Sequence, residues 1–482
     1  MTTAEWITGS APALVLRGTG ARPERVELAG ARARVGASVT GRGKTWKATL
    51  TLSASRWGGP VLPLPSGRYR VHVEPAPSAG DPEVPEPLAL AQLGPLRAAL
   101  TGWDVEIGPP VDPAYDSGEA QEALERRYAT GRESLEEAVF FESFYGRNAS
   151  CNPLAIDREL RERVPGLVRY WSVVDLSVDV PEGAIPVVEG SPDWWRARAV
   201  SRLLVVNDWL RRRYVRRPGQ HVVQTWHGTP LKRLALHRPG FDPRRAVAVV
   251  RESRRWDVLL AQNPYAASIL RRAYAFGRRP IWVEGYPRND VLRTGDAVAV
   301  RARLGIGADE RVILYAPTWR DDREQIVDFL DAERLAADTG AIVLVRGHSR
   351  TLLPGTDAQG ARVVDVTGFP DTAQLLLAAD ALVTDYSSVM FDFTVTGKPV
   401  YFFVPDLEDY RGRLRGFYFD LAGRAPGPLV RTQDELTRAL AEDSAAYADR
   451  YASWQRAFNA RDDGHAAERV VARILDQGLI GG

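Results

Sequence analysis

The 482-residue chain is poor in sulfur and in lysine: one cysteine (Cys151), two methionines and four lysines. A lone cysteine excludes an intramolecular disulfide and any zinc site built on paired thiolates. No run approaches the ~18–20 uncharged apolar residues that a bilayer-spanning helix needs. The first twenty residues lack the basic and long apolar regions of a secretory signal, so the expected location is the cytoplasm. A net charge of +2 is too small to indicate a nucleic-acid partner. With 45% hydrophobic and 26% charged residues, wholesale disorder is excluded. Of 63 basic residues all but Lys44, Lys47, Lys232 and Lys398 are arginine. That bias reads as a codon effect, and against it a retained lysine marks a place where a compact ammonium is wanted. Phosphate-loop and dinucleotide signatures are missing too. GRGKT (41–45) has Ser38 where the first glycine of a P-loop must stand, and no G-x-G-x-x-G follows a strand. No strand ends in a D-x-D pair and the six histidines have no metal-ligand spacing. Neither a metal nor a cofactor is expected.

At ~150 residues per domain the length suits about three domains. Residues 1–112 carry short alternating runs (ALVLRG, RVELAG, WKATLTLS, RYRVHVEP) between Gly/Pro turns, which predict a small antiparallel β-sandwich. Within them the Pro-rich stretch 75–87 reads as a boundary or linker, and the polar, acidic residues 113–136 read as a connecting helix. From 137 the texture becomes α/β. Near-continuous apolar runs at 138–143, 168–174, 202–207, 221–226, 257–262 and 280–285 alternate with helical stretches, and a second series occupies 311–318, 341–347, 361–366, 381–386 and 399–404. Such runs predict parallel sheets covered on both faces, here in two lobes, 137–295 and 296–482.

The unusual residues follow strands, where doubly wound sheets bind ligands. After HVVQ come His227, Gly228, Thr229 and Lys232. An imidazole beside a glycine turn suits a general base, and a lysine one turn on suits a phosphate; the alternative is a capping turn with a structural histidine. Thr318 and Arg320 end one strand and His348 and Ser349 end the next, a placement suited to a phosphate that gains charge as its leaving group departs. Asp385 precedes Ser387 and Ser388, whose hydroxyls at a helix start read as an anion site or as an ordinary cap. Downstream lie Lys398, Asp406, Glu408 and Asp409.

Taken together, QTWHGTPLK, YAPTWR, GHS, VTDYSSVMFDF, GKPVYFFVPDLEDY and RGFYFD, with FESFYGRNASCNPLAI at 141–156, resemble the CDP-glycerol glycerophosphotransferase family of teichoic-acid synthesis over roughly 137–475. The resemblance implies a GT-B-like pair of Rossmann-like lobes with the site between them, preceded by the β-rich accessory domain. It implies transfer of glycerol phosphate from CDP-glycerol to an acceptor hydroxyl with release of CMP, without a tightly bound metal. By motif, His227 becomes the base on the acceptor, Arg320 and His348 the donor-pyrophosphate residues, and Ser387 and Ser388 phosphate contacts; Asp385 and Glu408 become ribose or acceptor contacts. Gly228, Thr229, Lys232, Thr318 and Ser349 complete the expected substrate-binding set. CDP-ribitol is the alternative donor. A GT-B sugar transferase using a nucleoside-diphosphate sugar and a non-catalytic scaffold are the readings from other classes.

A lipid-linked polyol-phosphate acceptor would place the chain on the inner face of the membrane. The expected contact is the cluster Arg211, Arg212, Arg213, Arg216 and Arg217 beside Trp209 and Tyr214, attracted to anionic lipid at ~1 kcal/mol per cation. The alternative is a solvated face whose arginines pair with acids.

Overall fold

The computed structural model describes residues 2–74, 84–318, 330–347, 359–360, 362–407, 416–442 and 444–481. Residues 3–108 form a two-stranded ribbon, Ser53–Ser55 with Val61–Pro63, and two main antiparallel sheets. One runs in the order Thr3–Ile7, Ala13–Thr19, Thr45–Thr51, Ser38–Arg42. The other runs Leu88–Gln92, Arg97–Thr101, Asp104–Gly108, Gly67–Glu74, Arg25–Gly30, Arg34–Gly36. Alternation makes the sandwich: Trp46, Ala48 and Leu50 turn inward from Thr45–Thr51 and meet Val26, Leu28, Tyr69 and Val71 of the facing sheet. The Pro-rich stretch is therefore not a domain boundary. It joins two strands of one sheet, and its residues 75–83 lie outside the described residues. The helix Gly118–Thr130 follows, capped by the Ser117 hydroxyl, which accepts from the Ala120 amide at 3.1 Å. It buries Leu124 and Tyr128 against Trp194 and Trp195.

The first α/β lobe is a seven-stranded, all-parallel sheet. Its order is Ile185–Val188, Val168–Val173, Glu136–Glu142, Ser201–Val206, His221–Gln224, Val258–Ala261, Ile281–Val283. In chain order that is 3-2-1-4-5-6-7, the doubly wound arrangement, whose strand order reverses between Glu136–Glu142 and Ser201–Val206. The second lobe repeats it, with Val363–Asp365, Ile342–Val345, Val312–Ala316, Ala381–Thr384, Val400–Phe403 and Leu429–Val430 in parallel and a short antiparallel edge strand, Gln359–Gly360. Its order reverses between Val312–Ala316 and Ala381–Thr384. Both sheets are GT-B-like, as expected. Strands Ile185–Val188, Gln359–Gly360 and Leu429–Val430 had not been anticipated; all are short and at or near a sheet edge, and one contains proline. The C-terminal helix Ala466–Asp476 leaves the second lobe altogether. Its Val470, Val471 and Ile474 pack with Ile156 and Leu160 of the helix Cys151–Arg163 in the first lobe, and its first amides, Ala466 and Ala467, donate to the Asp290 carboxylate at 2.9 and 2.8 Å.

A buried polar cluster ties the lobes together. The Arg288 guanidinium bonds the Asp392 carboxylate of the second lobe at 2.6 Å, and also reaches the Cys151 sulfur at 3.1 Å and the His227 carbonyl at 3.0 Å. Asn289 donates to Asp392 at 3.0 Å and to Asp462 at 3.2 Å. Asp462 accepts in addition from Gln262 at 2.8 Å and from the Tyr286 amide at 3.1 Å. Burial works against the Arg288 charge, but Asp392, with Cys151 and Tyr286, outweighs it and holds the guanidinium above its ordinary value. Burial pushes the Asp462 carboxyl up to about 6 from 3.8.

The sandwich touches both lobes through one turn. Arg56 donates to the Ser177 carbonyl of the first lobe at 2.9 Å. Its neighbour Trp57 meets Phe369 of the second lobe edge-on at 5.6 Å, and its carbonyl accepts from Arg303 at 3.2 Å.

Asp392→Ala strands a buried guanidinium and is expected to destabilise the chain by about 3–5 kcal/mol in denaturant unfolding, whereas the paired apolar replacement Arg288→Met/Asp392→Leu costs less. Equal losses in the two variants would mean that the pair carries no special penalty. Asp462 supplies a pH test. Between about pH 4 and 6 the folded chain holds a proton on this carboxyl that the unfolded chain lacks, so stability falls as pH rises through that window, by roughly 3 kcal/mol from this group. In Asp462→Asn the decline should flatten; unchanged slopes would place the proton elsewhere.

Candidate active site

His227 stands at the first lobe's reversal point. The strand Ser201–Val206 ends in Asn207, which is fully buried, and the Asn207 carbonyl lies 2.6 Å from His227 Nδ1. A carbonyl only accepts, so Nδ1 is the donor, and Nε2 is the nitrogen left to take a proton. The ring is held on two sides, stacked on Trp226 at 4.9 Å and meeting Phe144 edge-on at 5.5 Å. Phe144 is itself pinned, its amide donating to Asn207 Oδ1 at 2.9 Å.

The backbone here is strained. Trp226, Phe144, Tyr145 and Cys151 take φ of 54°, 45°, 60° and 64°, a left-handed conformation unfavourable for residues with a Cβ and found where surrounding contacts over-determine it. Those contacts are present. The Gln224 side chain accepts from the Trp226 amide at 2.9 Å and donates to the Asp208 carbonyl at 2.9 Å. Asn152 donates to the Thr225 and Trp226 carbonyls at 3.3 and 3.2 Å. The strand apolarity fixes where HVVQ ends; these amides fix how the next residues turn.

Gly228 faces the second lobe. A Cβ built on it would lie 2.6 Å from the Ser388 Oγ and 3.0 Å from its Cβ, so glycine is what lets the two loops touch. Further along, Lys232 pairs as an antiparallel bridge with Phe417, and Tyr418 donates its amide to the Leu231 carbonyl at 2.8 Å. The histidine loop and the Ser387–Ser388 turn therefore meet across the lobes. The helix that follows the turn, Val389–Phe393, is short, and its Asp392 is the partner of Arg288.

Other expected contacts have different roles. Thr229 is fully buried; its hydroxyl bonds Gln262 at 2.5 Å and accepts from Asn263 at 3.1 Å, so it anchors the loop. Asp385 is 3% exposed, and its Oδ1 accepts from the Thr318 amide at 2.8 Å and from the Tyr386 amide. It is a strut across the second lobe's reversal point, joining the two strand ends, and Thr318 is held there by its backbone. The Lys398 ammonium donates to the Leu377 and Ala379 carbonyls at 3.0 and 2.6 Å, a structural use of the amine. Arg320, His348, Ser349 and Glu408 lie outside the described residues.

The arginine cluster is mostly spoken for. Arg211 and Arg212 both pair with Glu189, at 3.3 and 2.9 Å; Arg216 pairs with Asp257 at 2.5 Å; Arg217, 8% exposed, pairs with Glu133 at 3.2 Å. The segment is also irregular, not helical. Only Arg213 of the five is without an acid partner among the described residues, so the expected membrane patch is largely a paired face. The residues that sequence reasoning passed over are Asn207, Arg288, Asp392 and Glu142. Glu142 ends the strand Glu136–Glu142 and accepts from the Ser172 hydroxyl at 2.9 Å, and burial pushes its carboxyl up against the pull of Arg198. Asn207, Arg288 and Glu142 look like ordinary strand-end or loop residues, and Asp392, though inside VTDYSSVMFDF, looks like an ordinary helix residue.

Residues 127–476 match the family model of CDP-glycerol:poly(glycerophosphate) glycerophosphotransferases. The teichoic acid poly(glycerol phosphate) polymerase of Bacillus subtilis is 37% identical over 70% of this chain; the chain spans 48% of that protein's length. The teichoic acid glycerol-phosphate transferase of Staphylococcus aureus is 35% identical over 70% of this chain and 92% of its own length. Among solved structures, a histidine-to-asparagine variant of the wall teichoic acid polymerase TagF soaked with CDPG superposes with a TM-score of 0.69 at 30% identity, covering 74% of this chain and 94% of that one. The family model, which begins at residue 127, leaves out the β-sandwich.

The Gly228–Ser388 contact makes a size test. Gly228→Ala should lower the thermal midpoint, by the equivalent of about 1–3 kcal/mol, and Ser388→Gly in the same chain should restore most of it. No recovery would mean that the loops do not press on each other there.

Proposed function

The chain belongs to the CDP-glycerol:poly(glycerophosphate) glycerophosphotransferase family, and from that premise we propose that it transfers glycerol phosphate from CDP-glycerol to a hydroxyl of a polyol-phosphate acceptor, releasing CMP. The observation that carries the reading is the His227 ring, whose Nδ1 is committed to the Asn207 carbonyl and whose Nε2 is left as a base at the strand ends of the first lobe. Nε2 takes the acceptor hydroxyl's proton as its oxygen attacks the β-phosphorus. The new P–O bond forms while the bond to the CMP oxygen breaks, and the departing electron pair leaves with CMP.

Charge then gathers on the transferring and leaving oxygens, where fixed donors stabilise it best. Ser387 and Ser388, facing the histidine loop from the second lobe, are assigned to the donor phosphates. Lys232 and Gly228 belong to the same set. Arg320, His348 and Ser349 are assigned to the pyrophosphate, and Glu408 to the ribose or the acceptor, by their motifs alone. Thr229, Thr318 and Asp385 hold this set in place.

The acceptor in this reading is lipid-linked, and the chain works at the inner membrane face. No helix among the described residues is long and apolar enough to cross a membrane. Support for surface contact comes from Phe241, 92% exposed between Arg238 and Arg244, an aromatic and cationic pairing suited to the headgroup layer.

His227→Ala should cut CMP release by ~10²–10⁴-fold while leaving CDP-glycerol affinity nearly intact. Near wild-type turnover in that variant would remove His227 from the mechanism. Running CDP-glycerol and CDP-ribitol in parallel decides the donor, and faster CMP release from CDP-ribitol would replace the glycerol assignment.

A further inference from the structure

The first lobe carries a second basic feature, away from the histidine loop in sequence and built from three separate segments. An open groove of about 1300 Å³ lies between the helix Gly118–Thr130, the irregular segment 212–216 and the helix Pro243–Ser253 with the residues after it. Arginine dominates its walls. Arg212, Arg216 and Arg255 line it while bonded to Glu189, Asp257 and Glu252. Arg213, Arg251 and Arg254 line it with no ion pair or side-chain hydrogen bond among the described residues, and all three are exposed. Glu125 is the single acid in the lining.

Three exposed guanidiniums that line one concavity with a single carboxylate give it a positive potential that favours an anion. Arg251 and Arg254 gain something from the C-terminal end of their helix. That explains their sign, but not that of Arg213, which lines the groove from the irregular segment. Between the arginines the lining is apolar, with Val247 67% exposed. A ligand that fits must alternate negative charge with short carbon segments, and the volume is far larger than one phosphate needs. Concavity also favours a strand over a flat surface.

We propose that this groove binds a polyanionic phosphodiester chain, with Arg213, Arg251 and Arg254 taking successive phosphates. The inference rests on the acceptor reading above and adds a holding site for the chain outside the reacting cleft. Guanidiniums suit the task because their planar fork meets a phosphate through two hydrogen bonds.

The test uses the full chain carrying His227→Ala, so that the probe is not consumed, and titrates a synthetic glycerol-phosphate oligomer of about ten units. Parallel arms use inorganic phosphate and phosphatidylglycerol vesicles. The expected result is saturable oligomer binding that weakens at least tenfold in Arg213→Gln/Arg251→Gln/Arg254→Gln and falls with rising salt. The thermal midpoint should hold within about 2 °C, since none of the three side chains has a partner among the described residues. Arg213→Gln alone, on the irregular wall, is the second variant should the triple one fold poorly, with a several-fold loss expected. Oligomer affinity unchanged in these variants overturns the proposal. So does inorganic phosphate displacing the oligomer at equal phosphate concentration, or a loss confined to the vesicle arm, which would make the groove a membrane contact. Binding is read without turnover, so it stands or falls separately from the transferase assignment.

Discussion

The ion pair between Arg288 and Asp392 is the constraint on which the rest of the interlobe structure depends. A guanidinium out of water loses several kcal/mol of solvation unless a carboxylate and further acceptors replace it. Here the carboxylate comes from the second lobe, while a carbonyl of the histidine loop and the Cys151 sulfur come from the first. One side chain therefore sets the separation of the lobes and the position of the loop that carries His227. Asp462 does the same from below, gathering Gln262, Tyr286 and Asn289 onto one carboxylate. Apolar contacts hold lobes together at many relative angles; a network of short directional bonds holds them at one.

That rigidity has a use at His227. A strained loop persists only where its surroundings leave no alternative, and Gln224, Asn152 and Arg288 each bind a backbone group of residues 225–227. The return is a histidine with a fixed ring plane and a fixed tautomer, set before any substrate arrives. Preorganisation of this kind lowers the reorganisation needed during phosphoryl transfer.

The N-terminal sandwich, which the family match does not include, is not a tethered appendage. Arg56 and Trp57 are adjacent in sequence and bond opposite lobes. The C-terminal helix crosses in the other direction, from the second lobe to the first. Both ends of the chain thus restrain the same interface that the buried network defines.

The strands were legible because their apolar runs are long and bounded by Gly, Pro and charged residues, and because two such series can only be covered as two parallel sheets. The strand-end motifs were legible as a set, since doubly wound order sends successive strand ends to one crevice. Edge strands such as Ile185–Val188 escaped because short, half-exposed segments carry little pattern. What sequence left open was the direction in which each motif residue spends its hydrogen bonds. Thr229 and Asp385 sit in the same motifs as His227 and Ser388, and Lys398 in the motif that follows, yet all three bond to neighbours within their own lobe, and only the packing inside each lobe separates the two groups. The arginines tell the same story: Arg212 and Arg213 are neighbours of one type, and the chance proximity of Glu189 in the fold neutralises the first and leaves the second open. Sequence determined which chemistry the chain carries and on which strand ends it lies. Tertiary structure decided which of those groups face outward, because a hydrogen bond is satisfied by whatever the fold brings within 3 Å, not by what precedes it in the chain.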